Sequence, residues 1–145
     1  MRLTREEAVA RLAGHDHGVL CTLHLVRGVD AVPVVFVLGG DGFVGIPVDL
    51  VKPKESRRLR REANLEVDPR ATLLVEHWDG EDWSRLWWVR AELRWEATPA
   101  RDREVALAGL LAAKYPQYRD EPFARVLVLR VVDVTGWAAQ GERRG

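Results

Sequence analysis

Between Trp87 and Glu96 the chain alternates without a break, with Trp87, Val89, Ala91, Leu93 and Trp95 on one side of the pattern and Trp88, Arg90, Glu92, Arg94 and Glu96 on the other. An apolar repeat of two residues does not match the helical period of about 3.6, so this segment is a strand with one buried and one mostly solvated face. Adjacent Trp87 and Trp88 then point to opposite faces and cannot both enter one core. One of them is expected to meet a partner subunit or a planar ligand, the alternative being an aromatic core with one ring partly exposed.

Other segments repeat the strand texture. Apolar, β-branched runs cover Val19 to Val26, Ala31 to Leu38 and Phe43 to Val48, and the intervening Arg27-Gly28-Val29-Asp30 and Gly39-Gly40-Asp41-Gly42 read as hairpin turns. Pro33 cannot donate to a ladder, so its strand is expected at an edge or bulge, a place that can admit a ligand. Ala71 to Trp78 and Val126 to Val134 complete about six strands.

Three helices connect them. Thr4-Arg5-Glu6-Glu7 is a capping box opening a helix that Gly14 is expected to stop in a left-handed conformation. Lys54 to Leu65 reads as a second helix, ended by Asp68-Pro69. Thr98-Pro99 is expected to cap and open a third, with Ala108, Leu111, Ala112 and Tyr115 facing inward and Pro116 as its stop. Strands joined mainly by hairpins favour an antiparallel sheet or barrel over a doubly wound parallel fold. Residues 1–139 are expected to form one domain, and 140–145 a frayed tail.

Lysine plus arginine equals aspartate plus glutamate at 22 each, so no global field draws the protein to nucleic acid or an anionic membrane. One cysteine, Cys21, cannot form an internal bridge, and no signal peptide or membrane-length apolar run is present; a cytoplasmic protein is expected. The four histidines show no metal spacing with Cys21, and His15-Asp16-His17 reads as a solvated turn; no metal is expected. Dinucleotide, P-loop and nucleophile-elbow glycine motifs are missing, as is any acid/base or triad signature, and no catalytic side chain is assigned.

Against this balance, Lys52, Lys54, Arg57, Arg58, Arg60 and Arg61 place six cations within ten residues. On a helix starting near Lys54, Lys54, Arg57, Arg58 and Arg61 share one face, and the helix start adds amide donors for a phosphate. A solvated face partly neutralised by Glu55, Glu62 and Glu66 is the alternative. Nucleic acid draws on the same charges, but no aromatic residue interleaves them.

In order and spacing, several stretches resemble the pyridoxamine 5'-phosphate oxidase-like split-barrel family, in its branch associated with the deazaflavin coenzyme F-420. They are Val32-Pro33-Val34-Val35-Phe36-Val37-Leu38, Lys52-Pro53-Lys54, Leu59-Arg60-Arg61, Asn64-Leu65-Glu66, Asp68-Pro69-Arg70, the stretch from Asp82 to Ala91, Ala112-Ala113-Lys114-Tyr115-Pro116-Gln117-Tyr118 and Gly136-Trp137. The resemblance implies a mainly β (α+β) fold, a six-stranded antiparallel split β-barrel of the FMN-binding type with about three peripheral helices. It further implies that an isoalloxazine-like ring lies along Val34, Val35 and Phe36. The phosphate is then held near Val48, Asp49, Lys52 and Lys54, with Arg57 and Arg58 as candidates. Pro47 and Val48 stand where many relatives carry a hydroxyl, which removes one phosphate donor. The ligand site is implied at a homodimer interface, with Trp87 and Trp88 covering it from the second subunit.

The activity so implied is hydride transfer between the cofactor and a small organic substrate. F-420 is preferred to FMN because its tail adds carboxylates to a phosphate and six cations exceed what one phosphate needs. An FMN-binding oxidase or reductase, a non-catalytic flavin or deazaflavin carrier and a haem-binding barrel are the alternatives.

Overall fold

A computed structural model describes residues 1–49, 59–121 and 123–140. Its strands are β1 (Gly18–His24), β2 (Gly28–Val34), β3 (Val37–Leu38), β4 (Phe43–Asp49), β5 (Arg70–His77), β6 (Trp87–Trp95) and β7 (Phe123–Ala138). Three helices accompany them, α1 (Arg5–Gly14), α2 (Arg60–Val67) and α3 (Arg101–Lys114), with single 3-10 turns at Trp83–Arg85 and Pro116–Tyr118. The strands form one sheet in the order β2-β1-β5-β6-β7-β4-β3, and every pairing is antiparallel.

The strand count is seven rather than six because the run 31–38 is two strands. β2 pairs with β1 at one edge of the sheet and β3 pairs with β4 at the other. Val35 and Phe36 carry the chain from edge to edge, so the sheet is not closed by hydrogen bonds and remains split at this crossover. Pro33 lies opposite Val19 in the edge strand, where its missing N–H leaves no ladder bond unmade. At the β1–β2 hairpin Gly28 takes φ 87°, a conformation glycine adopts without the steric cost of a side chain.

The alternation of β6 holds: Val89, Ala91 and Leu93 are buried and Arg90, Glu92 and Arg94 exposed. β4 is instead buried at every position from Phe43 to Val48. Val44, Ile46 and Val48 face the barrel interior, while Phe43 joins Val37, Leu107, Leu111, Val126 and Val128 in a second cluster under α3. A Cβ on Gly45 would lie 3.0 Å from Leu107 Cβ, so glycine at this position lets the helix seat on the strand. Burial of Leu107 and Leu111 contributes about 1.5–3 kcal/mol each.

The helix boundaries correct several expectations. The capping box of α1 is present, with Thr4 Oγ1 accepting from Glu7 N–H at 3.2 Å and the Glu7 carboxylate accepting from Thr4 N–H at 2.9 Å. Gly14 stays helical, however, and extended His15 ends the helix. α3 starts at Arg101 after an extended Ala100, so Pro99 precedes the helix, and its inward stripe is led by Leu107 and Leu111. α2 starts at Arg60, and Leu59 is extended at φ −76° and ψ 151°. Leu59 therefore interrupts the helix expected from Lys54 to Leu65; residues 54–58, with the expected shared face of Lys54, Arg57 and Arg58, lie outside the described residues. β7 extends beyond the expected 126–134 at both ends. Among the described residues no helix is long and apolar enough to cross a membrane.

Candidate functional site

The crossover at Val35 and Phe36 is held by the end of α3. Pro116 stops that helix directly after Lys114 and Tyr115, and both side chains reach back to the split. Phe36 is fully buried, and its N–H donates to the Tyr115 hydroxyl at 3.2 Å. That hydroxyl lies 2.7 Å from the carbonyls of both Phe36 and Asp16, while Lys114 Nζ donates to Phe36 O at 3.0 Å and His15 O at 2.6 Å. The same ammonium stands 4.4 Å from the centre of the Phe36 ring. Burial pushes the Lys114 ammonium down from its ordinary pKa, with Asp16 opposing, and pushes the Tyr115 phenol up, with the Phe36 backbone bond opposing. Two side chains thus tie the split to the loop between α1 and β1.

Val35 itself makes no backbone hydrogen bond with the described residues. It opens on a cleft of about 600 Å³ lined also by Asp16, His17, Lys114, Tyr115 and Tyr118. That volume is in the range of about 300–1,000 Å³ typical of small-molecule sites.

A bulge between Val48 and Asp49 turns the end of β4 out of its buried run. Asp49 Oδ1 accepts from the Tyr118 hydroxyl at 2.9 Å, and desolvation followed by that bond pushes the phenol up to about 12. Arg61 is near enough to feel both Asp49 and Tyr118, and burial lowers its pKa. Its Nε is buried without a hydrogen-bond partner among the described residues. Arg60 and Arg61 also line a second cleft of about 360 Å³ with Thr22, Asp30, Ala31, Val32 and Leu59. Glu62, which the solvated-face alternative would set against the cations of its own helix, bonds Arg125 of β7.

Of the residues expected at a cofactor, Val35 and Asp49 stand at this cleft or its rim. Val34, Phe36 and Val48 have buried side chains. Lys52, Lys54, Arg57 and Arg58 lie outside the described residues. Trp87 and Trp88 split across the sheet as the alternation demands. Trp87 packs against the core and between His15, at 5.4 Å edge to face, and His77, at 6.2 Å stacked. Trp88 lies on the outer face beside Arg90 and opposite Trp137. Lys114 and Tyr118 were legible only as parts of a family-like stretch and Tyr115 also as the end of an inward helical stripe, and nothing local marks the contacts they make.

No family model matches the chain, and no curated protein matches it. Solved structures do share its split-barrel fold. A FAD-binding protein of Mesorhizobium loti superimposes with a TM-score of 0.68 at 14% identity, over 94% of this chain and 93% of that one. An FMN-binding protein of Syntrophomonas wolfei gives 0.66 at 14% identity, over 92% and 88%. A candidate pyridoxamine 5'-phosphate oxidase of Corynebacterium glutamicum gives 0.60 at 18%, over 94% of each chain. At these identities the likeness establishes the fold alone.

Proposed function

We propose that the chain binds a flavin-type cofactor, flavin or deazaflavin, along the β2–β3 crossover and acts as a two-electron oxidoreductase on a small organic substrate. The observation carrying this reading is the backbone of Val35, without a backbone partner among the described residues, beside a cleft of suitable size, together with the buried Nε of Arg61, also without a partner among the described residues. A flat heteroaromatic ring needs backbone donors and acceptors at its edge, and its phosphate needs a guanidinium. When bound, such a cofactor supplies the hydride chemistry. Lys114 and Tyr115 fix the backbone under the ring, and the barrel core beneath excludes water.

The names of two fold neighbours support FMN or FAD, whereas the cation count of residues 52–61 supports F-420. A homodimer is part of the proposal: Val29, Leu74, Val132 and Trp137 expose apolar surface on the strands that a second subunit would cover. Tag-free protein titrated separately with F-420, FMN and FAD, followed by absorbance and ligand fluorescence, tests the reading. At least one ligand should saturate, and Lys54→Glu or Arg61→Glu should weaken it more than about tenfold without unfolding the protein. Binding of none, or equal affinity in both variants, would reject it. Turnover of a coupled acceptor separates an enzyme from a carrier.

A further inference from the structure

The loop between α1 and β1 gathers three donors that the linear sequence leaves unremarkable. His15, Asp16 and His17 each offer a ligand atom, and these atoms all lie within 4.8 Å of one another. The two imidazole rings have centroids 5.5 Å apart, and Asp16 Oδ1 is 2.6 Å from His17 Nδ1. The loop is also held rigidly. Lys114 bonds the carbonyl of His15, Tyr115 bonds that of Asp16, and the His15 ring rests edge-on against Trp87. His15 is half-buried, whereas Asp16 and His17 face solvent.

We infer that these three residues bind a single borderline divalent transition ion, of the zinc, nickel or copper class. Two imidazole nitrogens and one carboxylate oxygen suit such an ion and not calcium or magnesium, which favour all-oxygen shells. Three atoms within 4.8 Å of one another share a point no more than about 2.8 Å from any of them. Closing to the usual distance of about 2.0–2.2 Å therefore moves each donor by less than about 1 Å. The ion replaces the direct contact between Asp16 and His17. Because two donors face solvent, at least one coordination position stays open to water or to an oxygen ligand. Asp16 and His17 also line the Val35 cleft, so the ion stands at its mouth. The inference needs no flavin, because the proposed flavin binding assigns no role to the side chains of His15, Asp16 and His17.

Tag-free, chelator-treated protein titrated with Zn²⁺ in a calorimeter, with no flavin added, should bind one equivalent. His17→Gln is the informative variant, because His17 is exposed and its loss leaves the core untouched. It should weaken Zn²⁺ about tenfold or more, His15→Gln/His17→Gln should abolish binding, and His24→Gln should change nothing. Cu²⁺ in place of Zn²⁺ should quench tryptophan fluorescence through Trp87, and Trp87→Phe should remove most of that quenching. Absence of saturable binding, or equal binding by the double variant with unchanged circular dichroism, overturns the site.

Discussion

Replacing Tyr115 by phenylalanine removes one oxygen and keeps the ring, which lies 5.9 Å from that of Tyr118. The cost follows from what the hydroxyl serves. The N–H of fully buried Phe36 loses its acceptor, and an unsatisfied buried donor costs about 1–3 kcal/mol. The Phe36 carbonyl keeps Lys114, so its loss is partial. The net expectation is about 2 kcal/mol, which for a chain of this size lowers the thermal midpoint by about 4–8 °C. Tyr118→Phe is the matched control, since it removes only an exposed bond to Asp49 and should cost under about 1 kcal/mol. Urea and thermal melts followed by circular dichroism give both values, provided each transition is two-state. If Tyr115→Phe is no more damaging than Tyr118→Phe, the crossover is not held as argued here.

Arg125→Met leaves the Glu62 carboxylate buried without its guanidinium; because Arg125 is partly exposed, the loss should be about 2 kcal/mol, below the full buried-pair value, and the double variant with Glu62→Gln should recover part of it in the same melts. Arg27, then Asn64, hold the Asp30 carboxyl well below the usual carboxylate range, and Arg70 holds that of Asp68 at about 2. Both groups bind protons more weakly in the folded chain, so their stabilisation is complete above about pH 4 and is lost as pH falls from there through the folded values. Urea midpoints at pH 7, 4 and 3 should decline less steeply in Asp30→Asn/Asp68→Asn; an unchanged acid slope would contradict this. Thr4→Ala should cost about 1 kcal/mol through the α1 cap, whereas the exposed Arg101→Ala should stay within about 0.5 kcal/mol by the same assay.

What could be read from the sequence follows the range of the interaction responsible. The alternation from Trp87 to Trp95, the Thr4 cap and the β3–β4 hairpin are set by neighbours, and the structure contains them; the first hairpin forms too, but turns at residues 25–27 rather than at the expected Arg27 to Asp30, which places Gly28 to Asp30 in β2. The break at Val35 is not local, since residues 31–38 form one apolar run. Only the sheet decides that Val34 serves one edge and Val37 the other. The helix expected from Lys54 is interrupted at extended Leu59, which carries no turn signal. Lys114 and Tyr115 act across nearly eighty residues on Phe36, and His15 to His17 become a cluster only once those two side chains fix the loop. Long-range tethering of this kind leaves no periodic trace.

The central claim, that a flat cofactor rests on the backbone at the split, is tested most directly by amide hydrogen exchange with and without a saturating flavin or deazaflavin. Slowed exchange should concentrate at Val35 and at residues 115–118, with the outer-face cleft around Cys21, Thr72 and Arg94 unaffected. Protection confined to that outer face, with Val35 exchanging at its free rate, would contradict the account.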